Sequence, residues 1–374
     1  MRKEEIRGWL LLTVLGIFAA IAMVTLINPV LERFPPENMK PFTYFIVVII
    51  ISFLINVIGL EILHVLGSVA GGYKIVSFNV LGLCFYKEGE KWKFGFRDFN
   101  GLAGETKIAP KKGKLNANLQ TWFPIFGYAV ELATCIVVFN FIKSSNVKAS
   151  WLASAAIINL VVASMLFVYN FVPIKLDSMT DGYKIRLFSN KTNLDAYNKT
   201  LDVLEKRRVG ENIEKIPVFP EITEFTAEIN SLAMYQYLEE EDYAKAMEII
   251  DVLLEHKKVI NVNDYNRLIA QKLYLTILTK PVKEAKKLYD EICPTEIRRF
   301  IANDVSMPSI RAYIMIAGTI EESESEVAYA RSKVEKAKKR ALKSEIKAEE
   351  ILLEKAINFV YEKHPKWKKE SAAE

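Results

Sequence analysis

Apolar residues fall into two different patterns along the chain. In the first half they form four long unbroken runs, at about 9–27, 42–66, 123–142 and 151–172. Each is close to the roughly 20 residues that a helix needs to cross a bilayer. Between the second and third runs the pattern switches to alternation. Tyr73-Lys74-Ile75-Val76-Ser77-Phe78-Asn79-Val80 predicts a strand, and the segments around Glu88-Gly89-Glu90 predict a hairpin. From Thr226 onward apolar residues recur with a period near 3.6. That period predicts helices over 227–238, 244–256, 264–278, 282–292, 307–320, 322–341 and 345–361.

Composition sharpens this split. The chain has 374 residues, 51% hydrophobic and 25% charged, averages that alone would suit a soluble protein. The charge sits mostly in the second half, which excludes a single soluble globule. An aromatic content of 11% excludes a disordered chain. The net charge of +5 is too small to argue for nucleic acid as a partner. Cys84, Cys135 and Cys293 have no paired spacing, so neither a disulfide framework nor a cysteine zinc site is expected. The first run follows Met1-Arg2-Lys3 but is long and lacks a small-residue cleavage pattern before Asn28-Pro29, which predicts a retained helix.

Basic residues set the expected orientation. Nine lie between Lys74 and Lys114, against two, Arg33 and Lys40, before the second run and two, Lys143 and Lys148, between the third and fourth. The excess of Lys and Arg marks the cytoplasmic side. Both termini and the loop 70–120 are therefore expected in the cytoplasm of a multi-pass cell-membrane protein. The second and fourth helices then end at the same membrane face. Pro110-Lys111-Lys112-Gly113-Lys114 suits either a solvated turn or contact with anionic lipid headgroups.

Charged residues inside membrane helices cost about 2.5–3.5 kcal/mol at the helix centre, so each one carries information. Glu61 and His64 share a helix face at i, i+3 spacing. They suit either a simple pair near the headgroups or part of a site. Glu131 lies in the middle of the third run, as a buried carboxyl bonded to a neighbouring helix or as a group that meets substrate or ions. Gly127 before it permits close helix packing. After the fourth run comes Asn170-Phe171-Val172-Pro173, then Asp177 and Asp181-Gly182. This segment suits either an ordinary helix stop and turn or a second half of a site.

Glu-x-x-His at a helix end, then Gly72-Tyr73, a β-rich loop, Asn-x-x-Pro and Asp-Gly together resemble the site-2 protease family of intramembrane zinc metalloproteases. The resemblance covers roughly 42–185. It implies that Glu61 occupies the general-base position, His64 the second zinc histidine, and Asp181 the aspartate ligand, with Asp177 as its rival. It also implies a β-hairpin loop that holds extended substrate. The first zinc histidine falls on Leu60, which cannot bind metal. Catalytic zinc takes three protein ligands and keeps a fourth position for water. The favoured expectation is therefore a pseudoprotease without a cofactor. The alternative is an active zinc protease in which Glu131 or Asp177 supplies the third ligand. A third expectation is a membrane transport or anchoring component whose Glu61 and Glu131 line a polar path.

In the second half, Tyr243-Ala244-Lys245-Ala246-Met247 resembles the second helix of a tetratricopeptide repeat. Stacked helix pairs of this kind make concave surfaces for proteins. The expected fold is thus a mainly α membrane protein of bacterial type. Residues 1–183 form a domain of four transmembrane helices with a small cytoplasmic β-hairpin loop, β-rich over 73–100. Residues 184–222 form a connector, 223–365 a cytoplasmic α-helical repeat domain, and 366–374 a frayed tail. The expected partners are membrane lipids, a membrane protein or peptide, and a cytoplasmic protein bound by 223–365.

Overall fold

The computed structural model describes residues 3–36, 39–89, 91–96, 104–144, 151–175, 179–340 and 343–370. The chain divides into two compact units, Met1–Leu194 and Asp195–Glu374.

Four helices of the first unit are long and apolar enough to cross a bilayer, which makes this a membrane protein. The first span, Ile6–Arg33, is longer than the run 9–27 predicts. It joins α1 (Lys3–Ala22), a π-helical turn (Met23–Ile27) and α2 (Asn28–Arg33). Asn28-Pro29 does not end it, because Pro29 sits in the first turn of α2, where its missing N–H leaves no bond unmade. The other spans are α3 (Pro41–Ala70), α4 (Asn118–Ser144) and α5 (Trp151–Phe171). At 30 residues α3 is about 45 Å long, so about ten of its residues exceed the hydrocarbon core.

The three long helices α3, α4 and α5 pack pairwise. Close approach depends on small residues. A Cβ on Gly127 would overlap Leu63 of α3, and one on Gly67 would overlap the Leu119 carbonyl at the start of α4. Ala22, Ile27, Leu31, Tyr44, Ile157, Ile158 and Val161 form an apolar cluster that ties the first span to α3 and α5.

The loop after α3 is more than a hairpin. Strands β1 (Tyr73–Val80), β2 (Leu83–Glu88), β3 (Lys91–Phe96) and β4 (Gly104–Pro110) form an antiparallel sheet in the order β3-β2-β1-β4. The fourth strand lies beyond the predicted limit at residue 100. Its Gly-Glu-Thr-Lys-Ile-Ala-Pro sequence alternates weakly, and pairing along β1 is what makes it a strand.

Two helices, α6 (Asp181–Phe188) and α7 (Lys191–Val209), occupy much of the expected connector. Beyond an irregular stretch at 210–223, the second unit is built of helices: α8 (Glu224–Glu239), α9 (Tyr243–Glu255), α10 (Val262–Thr279), α11 (Val282–Ile292), α12 (Thr295–Asn303), α13 (Met307–Thr319), α14 (Glu324–Ser332), α15 (Val334–Arg340), α16 (Lys343–Lys363) and α17 (Pro365–Glu370). Side-chain caps start several of them: Thr223 for α8, Asp242 for α9, Asn261 for α10 and Ser323 for α14. The helix α12 has no counterpart in the periodicity reading, and the single helix predicted over 322–341 is two. Residues 366–370 of the predicted frayed tail lie in a helix, Pro365–Glu370. Met234, Leu238, Ile250, Leu253, Leu273 and Leu275 fill the core, around a fully buried Arg311. Its guanidinium bonds Glu349 and Gln271 and lies over the Tyr274 ring.

Candidate functional site

A polar ridge runs along α3. Ser52, Asn56, Leu60, His64 and Ser68 follow one another at intervals of four, one row of the helix surface. All but Leu60 are polar, and those four are buried. Glu61 is buried beside the ridge.

His64 is the centre of a cluster built from four segments. Its Nε2 lies 2.9 Å from Asp181 Oδ2, at the start of α6. Its Nδ1 lies 3.5 Å from Glu61 Oε1. Glu61 Oε2 accepts a 2.7 Å hydrogen bond from Thr106 Oγ1 on β4. This contact needs Gly104, because a Cβ there would lie 2.6 Å from Glu61 Cγ. The sheet therefore covers Glu61 with a strand.

Asp181 is placed by the end of α5. Asn170 Nδ2 donates to Asp181 Oδ2 at 2.6 Å, and the Asp181 N–H donates to Asn170 Oδ1 at 3.2 Å. Thr180 caps α6 by accepting from the Tyr183 N–H, and its hydroxyl donates to the Val172 carbonyl at 2.8 Å. Gly182 is required because a Cβ would run into the Phe171 carbonyl. Asp-Gly is thus the first turn of a helix that abuts another helix end. Burial opposes ionisation of Asp181, but His64, then Lys184 and Asn170, outweigh it and hold the carboxyl below the usual range.

The resemblance implies zinc, so the donor set decides whether zinc fits. Leu60 offers no donor atom. Both nitrogens of His64 face carboxylates, and Asn170 and Thr106 take up oxygens of Asp181 and Glu61. Among the described residues no group of three or more His, Cys, Asp and Glu is disposed to hold a metal ion. One imidazole and one aspartate do not make the three-ligand set of a catalytic zinc site. The cluster is a polar chain from Asn170 through Asp181, His64 and Glu61 to Thr106, hydrogen-bonded at each step except His64–Glu61, which is a 3.5 Å ion-pair contact.

Glu131 is engaged elsewhere. Its Oε1 accepts a 2.9 Å bond from Asn159 Nδ2 of α5, which also reaches Cys135 Sγ at 3.3 Å. Asn56 Nδ2 donates to Asn159 Oδ1 at 3.1 Å and to the Ser52 carbonyl at 2.8 Å. Asn56 Oδ1 is buried without a partner. Glu131 and His64 therefore belong to separate polar groupings, one around Asn159 and one around His64. Asp177 lies outside the described residues. Sequence reasoning did not single out Thr106, Gly104, Asn56 or Asn159. Asn56 and Asn159 carried a usable signal, as amides inside apolar runs, whereas Thr106 and Gly104 carried none.

No protein-family model, curated protein or solved structure matches the chain.

Proposed function

We propose that this protein is a non-catalytic relative of the site-2 proteases. It binds a membrane protein or peptide through its membrane unit and presents the helical unit to a cytoplasmic protein. The observation that carries this reading is Leu60, which stands in the α3 row with His64 where the resemblance puts the other zinc histidine and offers no donor atom. Without zinc, water bound there is not acidified toward pH 7, and Glu61 has no activated nucleophile to produce. The convergence of Glu61, His64, Asn170 and Asp181 supports descent from such a site.

In this reading both termini, the sheet and the helical unit lie on the cytoplasmic side, where the basic residues concentrate. Reporter fusions at each terminus test that placement. The functional reading is tested by the zinc content of the purified full-length protein in detergent, beside Leu60→His. Native protein free of zinc, with about one zinc per chain in the variant, is the expected result. Stoichiometric zinc in the native protein, lost in His64→Ala, would overturn it in favour of an active zinc endopeptidase.

A further inference from the structure

The first span and α3 border a cleft at the membrane face opposite the His64 cluster. Its volume is about 250 Å³, room for a group of several non-hydrogen atoms.

The wall supplied by the first span owes its register to the π-helical turn. Asn28 donates its N–H to the Met23 carbonyl, five residues back. An α-helix would pair it with Val24 instead. The widened turn brings Asn28 under Met23, and Glu32 follows one α-helical turn later, so that all three line the cleft. Ala22 and Ile27 stay on the buried side of the same helix. Single π-turns of this kind recur at functional sites.

The two polar side chains on this wall are unengaged. Among the described residues, neither Asn28 nor Glu32 makes a hydrogen bond or ion pair through its side chain. The neighbouring Arg33 guanidinium lies over the Phe34 ring, 5.5 Å from its centre. The facing wall is aromatic: Phe42 and Phe45 of α3 line it, and Leu31 completes the apolar part.

Depth narrows what can enter. The cleft lies where the first span ends at Arg33 and α3 begins at Pro41. Trp151, at the start of α5, is at the same level, since its carbonyl accepts a 2.6 Å bond from the Tyr44 hydroxyl. Tryptophan with Arg33 and Lys40 close by marks a membrane–water boundary. A ligand here has its polar end among headgroups and its apolar end among acyl chains.

A carboxylate beside aromatic rings receives an ammonium group, by a charge-assisted hydrogen bond and by attraction to the ring faces. The Asn28 amide, one turn away, has N–H groups for an anionic oxygen. We propose that this cleft binds the headgroup of an ethanolamine phospholipid, with the ammonium on Glu32, a phosphate oxygen on Asn28 and an acyl chain along Met23, Leu31 and Phe45. A choline headgroup has no N–H for the carboxylate, and a lipid with only negative charge is repelled by it. The site therefore discriminates by headgroup.

The test uses full-length protein in detergent, mixed with equal amounts of phosphatidylethanolamine, phosphatidylcholine and phosphatidylglycerol of matched acyl chains. The protein is repurified and the lipid it retains is measured by mass spectrometry. Retention of the ethanolamine lipid roughly tenfold above the choline lipid is expected, as for one charge-assisted hydrogen bond. Glu32→Gln is expected to bring the two to parity, and Glu32→Lys to favour phosphatidylglycerol. Equal retention in the native protein, or enrichment that survives Glu32→Gln, would overturn the proposal. Disulfide-crosslinked pairs of Phe42→Cys chains in vesicles, without headgroup preference, would put a second copy in the cleft and would also overturn it. The three native cysteines are buried, which confines crosslinking to the introduced thiol. Glu32 is exposed, and a melting temperature that ethanolamine lipid raises in the native protein but not in Glu32→Gln separates lost binding from lost folding.

Discussion

His64 Nε2 meets Asp181 Oδ2 at 2.9 Å, across 117 positions of sequence. The bond fastens the end of α3 to the start of α6, and both partners are buried. Buried pairs of this kind are costly to break from one side, because the remaining group keeps its desolvation cost without its partner. His64→Leu and Asp181→Leu are each expected to destabilise the membrane unit by about 3–5 kcal/mol. The double variant is expected to lose less than the sum. Thermal melting in detergent measures this, and strictly additive losses would mean that the two side chains do not interact.

Two glycines give opposite expectations. Gly182→Ala drives a Cβ into the Phe171 backbone, which cannot move aside as a side chain would, and is expected to cost about 1–3 kcal/mol or more. Gly59→Ala, in the middle of α3, has nothing within 4 Å of the new methyl. It is expected to stabilise the helix by about 0.5–1 kcal/mol. A melt that ranks the two the other way would contradict the packing of α6 on α5.

Asn159 is the hub of the second polar grouping. Asn159→Leu leaves Glu131 and Asn56 without their shared amide, for an expected loss of about 1–2 kcal/mol. Glu131→Gln keeps an acceptor for the same donor and is expected to cost less. Equal losses for both variants would show that the Asn159–Glu131 bond carries little of the stability.

The helical unit carries a pH dependence at Glu228. Desolvation by the helices packed around it, then Asp264, pushes its carboxyl up to about 7, although the side chain is still exposed to solvent. The folded state thus holds this proton more tightly than the unfolded one. Stability is expected to fall as pH rises from about 4.5 to about 7 and to level off above. Solvent reaches part of the side chain, so the effect is expected near 1 kcal/mol. Glu228→Gln removes that slope and raises the melting temperature at pH 8. Circular dichroism melts of wild type and variant across this range check it.

The four spans were legible because hydrocarbon imposes a length and a composition on any helix that crosses it. Their ends were less so. The first span continues past Pro29 because a π-turn and a fresh helix start absorb the proline, a matter of local hydrogen bonding that hydropathy does not record. The pairing of His64 with Asp181 is a tertiary fact between distant segments: the distribution of basic residues put their helix ends at one membrane face, and the resemblance singled out the two residues. Thr106 and Gly104 were illegible, since a short strand of weak alternation gets its register from β1 and its role from Glu61. In the helical unit, period placed the start of α10 at 264 and passed over its cap Asn261, which starts the helix at Val262, while α12 is too short for its period to stand out.

The ridge at Ser52, Asn56, Leu60, His64 and Ser68 also fixes the azimuth of α3. Turning the helix by a single residue, about 100°, would swing Asn56, His64 and Ser68 from their buried places toward lipid. The cost of exposing several polar groups at once opposes rotation of the helix about its own axis. A histidine placed at position 60 would then join a row already facing inward, so Leu60→His asks for no new orientation of the helix that carries it.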